Sequence, residues 1–264
     1  MSDGGDSDGG LRFVPAPTLA ARLRELTPAR VGLARSGVSL ETRELLDFQR
    51  SHAQARDAVH SRLEAAALAA TLSEISGNEA LRLHSAAADR ATYLQRPDLG
   101  RVLDDASREL LARHASPVVG DEARLALIVA DGLSALAVER HAALLTKELL
   151  PRLDGWQLAP LCVVEQARVA IGDEIGLALG AHASIVLIGE RPGLSSADSL
   201  GAYITWEPKP GRTDAERNCI SNIRAEGLSY VQAAAQLSYY LTEARRRQLT
   251  GVALKEETHT LSEG

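Results

Sequence analysis

Downstream of Pro117, short apolar, mostly β-branched runs alternate with stretches of helical periodicity, and this alternation leaves few folds open. The runs cover 125–130, 161–165, 184–189 and 202–206, with a helical pattern over 133–150 between the first two and a shorter one over 173–179 between the second and third. Strands joined through helices pair in parallel, because a parallel neighbour is reached only by a crossover, and such crossovers are right-handed. Ligands on open parallel sheets sit beyond the carboxyl ends of the strands. The loops that begin at Asp131, Glu165 and Glu190 are therefore the place to look for a site. A further helix is expected over 230–247, with Arg245, Arg246 and Arg247 in its last turn, where the helix dipole favours cations, and 251–254 reads as a last strand.

Upstream the pattern is helical. Leu45, Phe48, Ala55, Val59, Leu63, Ala66 and Ala70 recur at steps near three and four, which predicts a long, interrupted amphipathic helix over 40–75, stopped by Gly77 and Asn78. A second helical stretch runs through Leu81, Ala88, Ala91 and Leu94 to Pro97, Asp98 suits a helix start, and the pattern stays helical to about Ser116. The first ten residues hold three Asp, two Ser and four Gly, with almost nothing to bury against their ordering entropy. The expected division is a disordered acidic tail and linker over 1–19, a mostly helical region over 20–118, and an α/β domain over 119–264. In fold class the chain is expected to be α/β, a helical region followed by a Rossmann-like, mainly parallel open sheet flanked by helices.

Charge and composition exclude several functions. A net charge of −6 and 3% aromatic residues provide neither attraction to phosphates nor stacking platforms, so nucleic acid is not an expected partner. Cys162 and Cys219 cannot staple a chain of this size; without a secretory signal both read as free thiols in the cytoplasm. No apolar run reaches the ~18 residues of a membrane span. Scattered histidines, no G-x-x-x-x-G-K-[ST], no G-x-G-x-x-G after a strand and no G-x-S-x-G around Ser134 leave metal, nucleotide and hydrolase chemistry without an anchor.

Three places remain. Asp131-Gly132 ends a strand and precedes a helix, so Asp131 either caps that helix or holds a ligand hydroxyl. The stretch IGERPGLSSADSLGAYITW (188–206) is either a solvent loop with a type II turn at Pro192-Gly193 or the lining for a polar, amide-rich ligand. Cys219 follows a charge-dense turn carrying Arg212, Asp214, Glu216 and Arg217; a lone cysteine is more often a small buried hydrophobe than a nucleophile.

Long segments carry the reading further: ARVGLARSG (29–37), DRATYLQRPDLGR (89–101), IVADGLSALAVERHA (128–142), RVAIGDEIG (168–176), LIGERPGLSSADSLGAY (187–203) and ERNCISNIRAEGLSY (216–230). In this order and spacing they resemble the small subunit of ethanolamine ammonia-lyase. The resemblance implies an enzyme that uses adenosylcobalamin to convert ethanolamine to acetaldehyde and ammonia, with cobalt–carbon homolysis supplying a radical that abstracts substrate hydrogen. It implies a large subunit, similar to a TIM barrel, that holds substrate and most catalytic groups, in a hetero-oligomer with several copies of each subunit, either free in the cytoplasm or packaged in a bacterial microcompartment. This chain would close over the cofactor and supply no catalytic residue. The family's cofactor positions fall on Val169, Glu190 and Cys219. The chain lacks D-x-H-x-x-G, so the resemblance implies base-on cobalamin whose cobalt takes no ligand from this chain. Two competing readings are a nucleotide-binding enzyme acting alone and a structural adaptor that docks a partner through its helical half.

Overall fold

The structure, a computed structural model, describes residues 19–27, 31–33, 35–114 and 123–254. The expected acidic tail, the junction at Pro117 and the EETHTLSEG end lie outside the described residues. The chain forms two compact units that divide between Ser51 and His52. In the first, α1 (Leu19–Leu26) is followed by a small hairpin of β1 (Arg35–Ser36) and β2 (Ser39–Leu40), whose turn uses Gly37 at φ +64°. The Arg24 guanidinium donates to the Gly32 carbonyl at 2.8 Å and to Glu44 at 2.9 Å, at the start of α2 (Thr42–His60).

The second unit is built on a seven-stranded sheet. Its strands are β3 (Leu81–His84), β4 (Ala123–Ala130), β5 (Trp156–Leu158), β6 (Cys162–Glu165), β7 (Ala183–Gly189), β8 (Leu200–Trp206) and β9 (Arg217–Ile223), in the order β3-β6-β4-β7-β8-β9, with β5 paired to β4. The first four along this order are mutually parallel; β8 and β9 are antiparallel. Every residue of β4 and β7 is buried, as central strands covered on both faces require.

On one face Leu125, Leu127, Val129, Ile185 and Leu187 pack with α3 (Ala65–Ser76), α6 (Ala135–Leu149) and α8 (Tyr230–Arg247). On the other, Ala126, Ile128, Ala130, Val186 and Ile188 pack with α5 (Asp105–His114) and α7 (Ile171–Ala178). A short helix, α4 (Arg90–Gln95), lies between β3 and α5 in the chain. Each fully buried Leu or Ile contributes roughly 1.5–3 kcal/mol by leaving water. The α/β class and the mainly parallel open sheet flanked by helices are thus as the sequence predicts.

The interrupted helix expected over 40–75 is two helices, α2 and α3, separated at 61–64, and α3 stops as expected at Gly77, in the left-handed conformation, φ +72°. Three expectations are corrected. The helical reading at Leu81 gives way to β3, whose alternating burial is the period-two pattern of a strand too short to display it in the sequence. At 202–206 the strand runs antiparallel, because the link 190–199 contains no helix to carry a crossover. The strand expected over 251–254 is instead a turn entering a helix: Gly251 at φ +96° is bracketed by the Asn218 side chain, which accepts from its N–H at 2.8 Å and donates to its carbonyl at 3.1 Å.

Candidate functional site

The chain moves from β4 to β6 on one side and then to β7 on the other, so the order reverses over β4. Such a switch point opens a crevice between the diverging loops. A cleft of ≈ 470 Å³ lies there, lined by Gly132 and Leu133 after β4, Val169 after β6, Glu190 and Arg191 after β7, and Tyr203 on β8. A second cleft of ≈ 450 Å³, lined by Arg101, Arg168, Arg212 and Asp214 among others, shares Val169 and Arg168 with the first.

Asp131 neither caps α6 nor faces the cleft. Ser134 is the cap, its hydroxyl accepting from the Ala137 N–H at 3.2 Å. The Asp131 carboxylate, 1% exposed, crosses to the neighbouring strand end and accepts the N–H groups of Gln166 at 2.9 Å and Ala167 at 3.0 Å. Burial pushes its pKa up, against those amides and the Arg90 guanidinium at 3.5 Å. Gln166 itself sits at φ +55°, a left-handed conformation unusual for a side-chain-bearing residue, and the bond from Asp131 holds it. Asp131 therefore shapes the loop that presents Val169.

Arg90 braces the same region, donating to the carbonyls of Val59 at 2.7 Å and Gly132 at 2.8 Å. Tyr93 lies against two guanidiniums, Arg90 at 4.7 Å and Arg168 at 4.3 Å from its ring centroid, and its hydroxyl donates to the Ala167 carbonyl at 3.1 Å. Gly132 and Gly189 let the β4 and β7 loops pass backbone to backbone: a Cβ on Gly189 would stand 2.1 Å from the Ser134 carbonyl oxygen.

Of the three positions implied by the resemblance, Val169 and Glu190 line the cleft together. Cys219 is outside its lining but directly opposite Tyr203 in the β8–β9 register, hence on the same sheet face one strand further out. It is exposed, with Sγ 3.3 Å from Ser221 Oγ, which corrects the expectation of a buried thiol; Cys162 is the buried one, and burial raises its pKa to about 12. The charge-dense turn before Cys219 is a single 3-10 turn, Asp214–Glu216, closed by a capping box between Thr213 and Glu216.

One Glu190 carboxylate oxygen, Oε2, accepts from the Ser199 hydroxyl and from the Asn222 N–H at 3.2 Å. The other, Oε1, has no donor among the described residues and lies over Gly201, where a Cβ would stand 3.0 Å from it. The expected type II turn at Pro192-Gly193 is absent, since Gly193 lacks a positive φ; a turn closes two residues later, over 193–196, with the Gly193 N–H donating to the Ser196 carbonyl at 3.0 Å and the Ser196 N–H to the Gly193 carbonyl at 3.4 Å. Tyr203 completes the polar wall, its phenol pushed up by burial and by contact with Cys219, so it stays protonated and able to donate.

Tyr93, Arg168, Ser199, Tyr203 and Asn222 were not singled out from the sequence. Only Tyr203 left a usable signal: with Gly201 it alternates against the apolar Ala202 and Ile204. Among the described residues no group of three or more His, Cys, Asp or Glu could hold a metal ion, and no helix is long and apolar enough to cross a membrane.

The model of the ethanolamine ammonia-lyase light chain (EutC) family matches residues 18–255. The ethanolamine ammonia-lyase small subunit of Pseudomonas aeruginosa is 58% identical over 241 residues, covering 89% of this chain and 86% of that protein. Those of Xanthomonas campestris pv. campestris, 58% identical over 90% and 87% of the two chains, and of Pseudomonas putida, 58% over 95% and 93%, agree with it. The chain belongs to the ethanolamine ammonia-lyase light-chain family, a family of lyase subunits.

Proposed function

We propose that this chain is the small subunit of an adenosylcobalamin-dependent ethanolamine ammonia-lyase, and that its 119–264 domain lays the cleft at the β4, β6 and β7 ends against the cofactor at the interface with a large subunit. The observation that carries the reading is the meeting of Val169 and Glu190, from separate strand ends, in one cleft with Cys219 beside it. The donor set suits a corrinoid fringed with carboxamides. Glu190 Oε1 is an uncommitted acceptor for an amide N–H, Tyr203 offers a hydroxyl, and Leu133, Val169 and Ile188 supply apolar contact. The cleft falls in the lower half of the ~300–1,000 Å³ range of small-molecule sites, and a corrinoid exceeds it. Most of the cofactor is thus left for the partner to cover, in a hetero-oligomer with several copies of each chain, in the cytoplasm or a microcompartment.

When bound, adenosylcobalamin supplies the carbon radical that takes a hydrogen from substrate. In this reading the chain's residues bind the corrin edge, fix its orientation and keep water from it, while substrate and catalytic groups sit on the large subunit. The cofactor would be held through Glu190, Tyr203 and Val169, with no residue of this chain on its cobalt.

The test is reconstitution: acetaldehyde and ammonia should form from ethanolamine only when this chain, the large subunit and adenosylcobalamin are all present. Product from either chain alone would overturn the reading. Glu190→Ala should weaken cofactor retention by the complex by roughly 1–3 kcal/mol, the cost of leaving a buried donor without its acceptor, as read by absorbance titration. Cys219→Ser should leave turnover near the wild-type level, because contact there needs a small polar group and no thiolate; a large loss would bring sulfur chemistry into the site.

A further inference from the structure

Glu190 and Ser199 close the β7–β8 link on itself. The Glu190 N–H donates to the Ser199 carbonyl at 2.9 Å, and the Ser199 hydroxyl donates back to Glu190 Oε2. Asn222, near the end of β9, adds its N–H to the same oxygen at 3.2 Å. That N–H is aimed by a left-handed backbone, φ +60°, held by the Leu228 N–H on the Asn222 carbonyl at 2.8 Å and by Arg224 on its side-chain oxygen at 3.0 Å. Ser199 is buried, and among the described residues its hydroxyl bonds to Glu190 alone.

A glutamate at the rim of an open cleft would ordinarily sample several rotamers and offer either oxygen. Here two donors engage Oε2, and Oε1, lying over Gly201, is the oxygen left without a donor among the described residues. An oxygen fixed before binding loses less freedom on binding.

We propose that Ser199 is a positioning residue that makes Glu190 a one-sided acceptor, so that the cleft selects a carboxamide N–H over a carboxylate. The proposal rests on the reading of Glu190 as the acceptor for a corrin amide. An amide N–H meets a fixed negative oxygen favourably, whereas a carboxylate in its place brings like charges together at a half-buried position.

The test is a thermodynamic cycle on the two-subunit complex with Ser199→Ala, Glu190→Ala and both, reading adenosylcobalamin affinity by absorbance titration and folding by thermal melting. Ser199→Ala should weaken binding about five- to tenfold and Glu190→Ala about tenfold or more, with the double variant no weaker than Glu190→Ala alone. Wild-type complex should also reject cofactor derivatives in which the contacting corrin amide is hydrolysed to a carboxylate, and Ser199→Ala should reject them less. Should the Ala variant fail to fold, Ser199→Cys, which keeps the volume but donates weakly, takes its place. Additive losses, or no loss on removing the hydroxyl, would overturn the positioning role while Glu190→Ala still weakens binding. No loss with Glu190→Ala would instead remove Glu190 from the cofactor site and this inference with it.

Discussion

Asp131→Ala is expected to lower the unfolding free energy by about 3–5 kcal/mol, the cost of breaking a buried charge pair by removing one partner. The carboxylate is 1% exposed and receives the Gln166 and Ala167 amides, with Arg90 at 3.5 Å. Without it, two buried amides lose their acceptor, each at about 1–3 kcal/mol, and Arg90 keeps carbonyl partners but no anion. Gln166 would also lose the bond that holds its left-handed backbone, so the loop carrying Val169 should move. Asp131→Asn, which keeps one acceptor oxygen, should cost less, about 1–3 kcal/mol. Against a typical total of about 5–15 kcal/mol the Ala variant is severe. Urea unfolding measures it; a loss below about 1 kcal/mol would mean that solvent or a rearranged loop satisfies the amides in its place.

The parts of this fold legible in the sequence are those whose signal is local and strong. Strands β4, β6 and β7 are continuous apolar runs because both faces are covered, and α6 and α8 extend over enough turns for the 3.6-residue period to register. The two ends of the sheet were missed for the same physical reason. β3 and β9 each have one neighbour: β3 spans four residues, and β9 leaves Cys219, Ser221 and Asn222 exposed, so neither builds an apolar run. The reversal into antiparallel pairing at β8 depends on the absence of a helix in a polar link, which periodicity registers only as silence.

The location of the cleft followed from the strand-end rule, since the loops after Asp131, Glu165 and Glu190 converge there. What each residue does was less legible. Asp131 precedes a helix, as a cap does, yet its partners belong to the next strand, and the cap is Ser134 three residues on. The stack of Arg90, Tyr93 and Arg168 joins segments far apart in the chain, and no local pattern announces it. Glu190 was conspicuous as a charge after a strand, but its one-sided presentation needs Ser199 and Asn222 from two other strand ends.

Arg217→Ala should be as damaging as the loss of Asp131, through a different joint. Arg217 opens β9 and makes two parallel bonds to Asp173 in α7, at 2.7 and 2.6 Å, with side chains 1% and 3% exposed. It also donates to Thr205 at 2.8 Å and to the Arg212 carbonyl at 3.1 Å, so one guanidinium joins the antiparallel end of the sheet to the helix that follows Val169. Burial disfavours the Arg217 charge, but the Asp173 carboxylate more than offsets it and holds the guanidinium pKa above its ordinary value. Removing Arg217 leaves the Asp173 side chain buried without its counter-ion, an expected loss of about 3–5 kcal/mol by urea unfolding. Replacing both residues with apolar groups of similar size, Arg217→Met with Asp173→Leu, should cost less than Arg217→Ala alone, since neither charge is then stranded. If the double variant proved as unstable as the single one, the bonds to Thr205 and Arg212, and not the ion pair, would be what joins β9 to its surroundings.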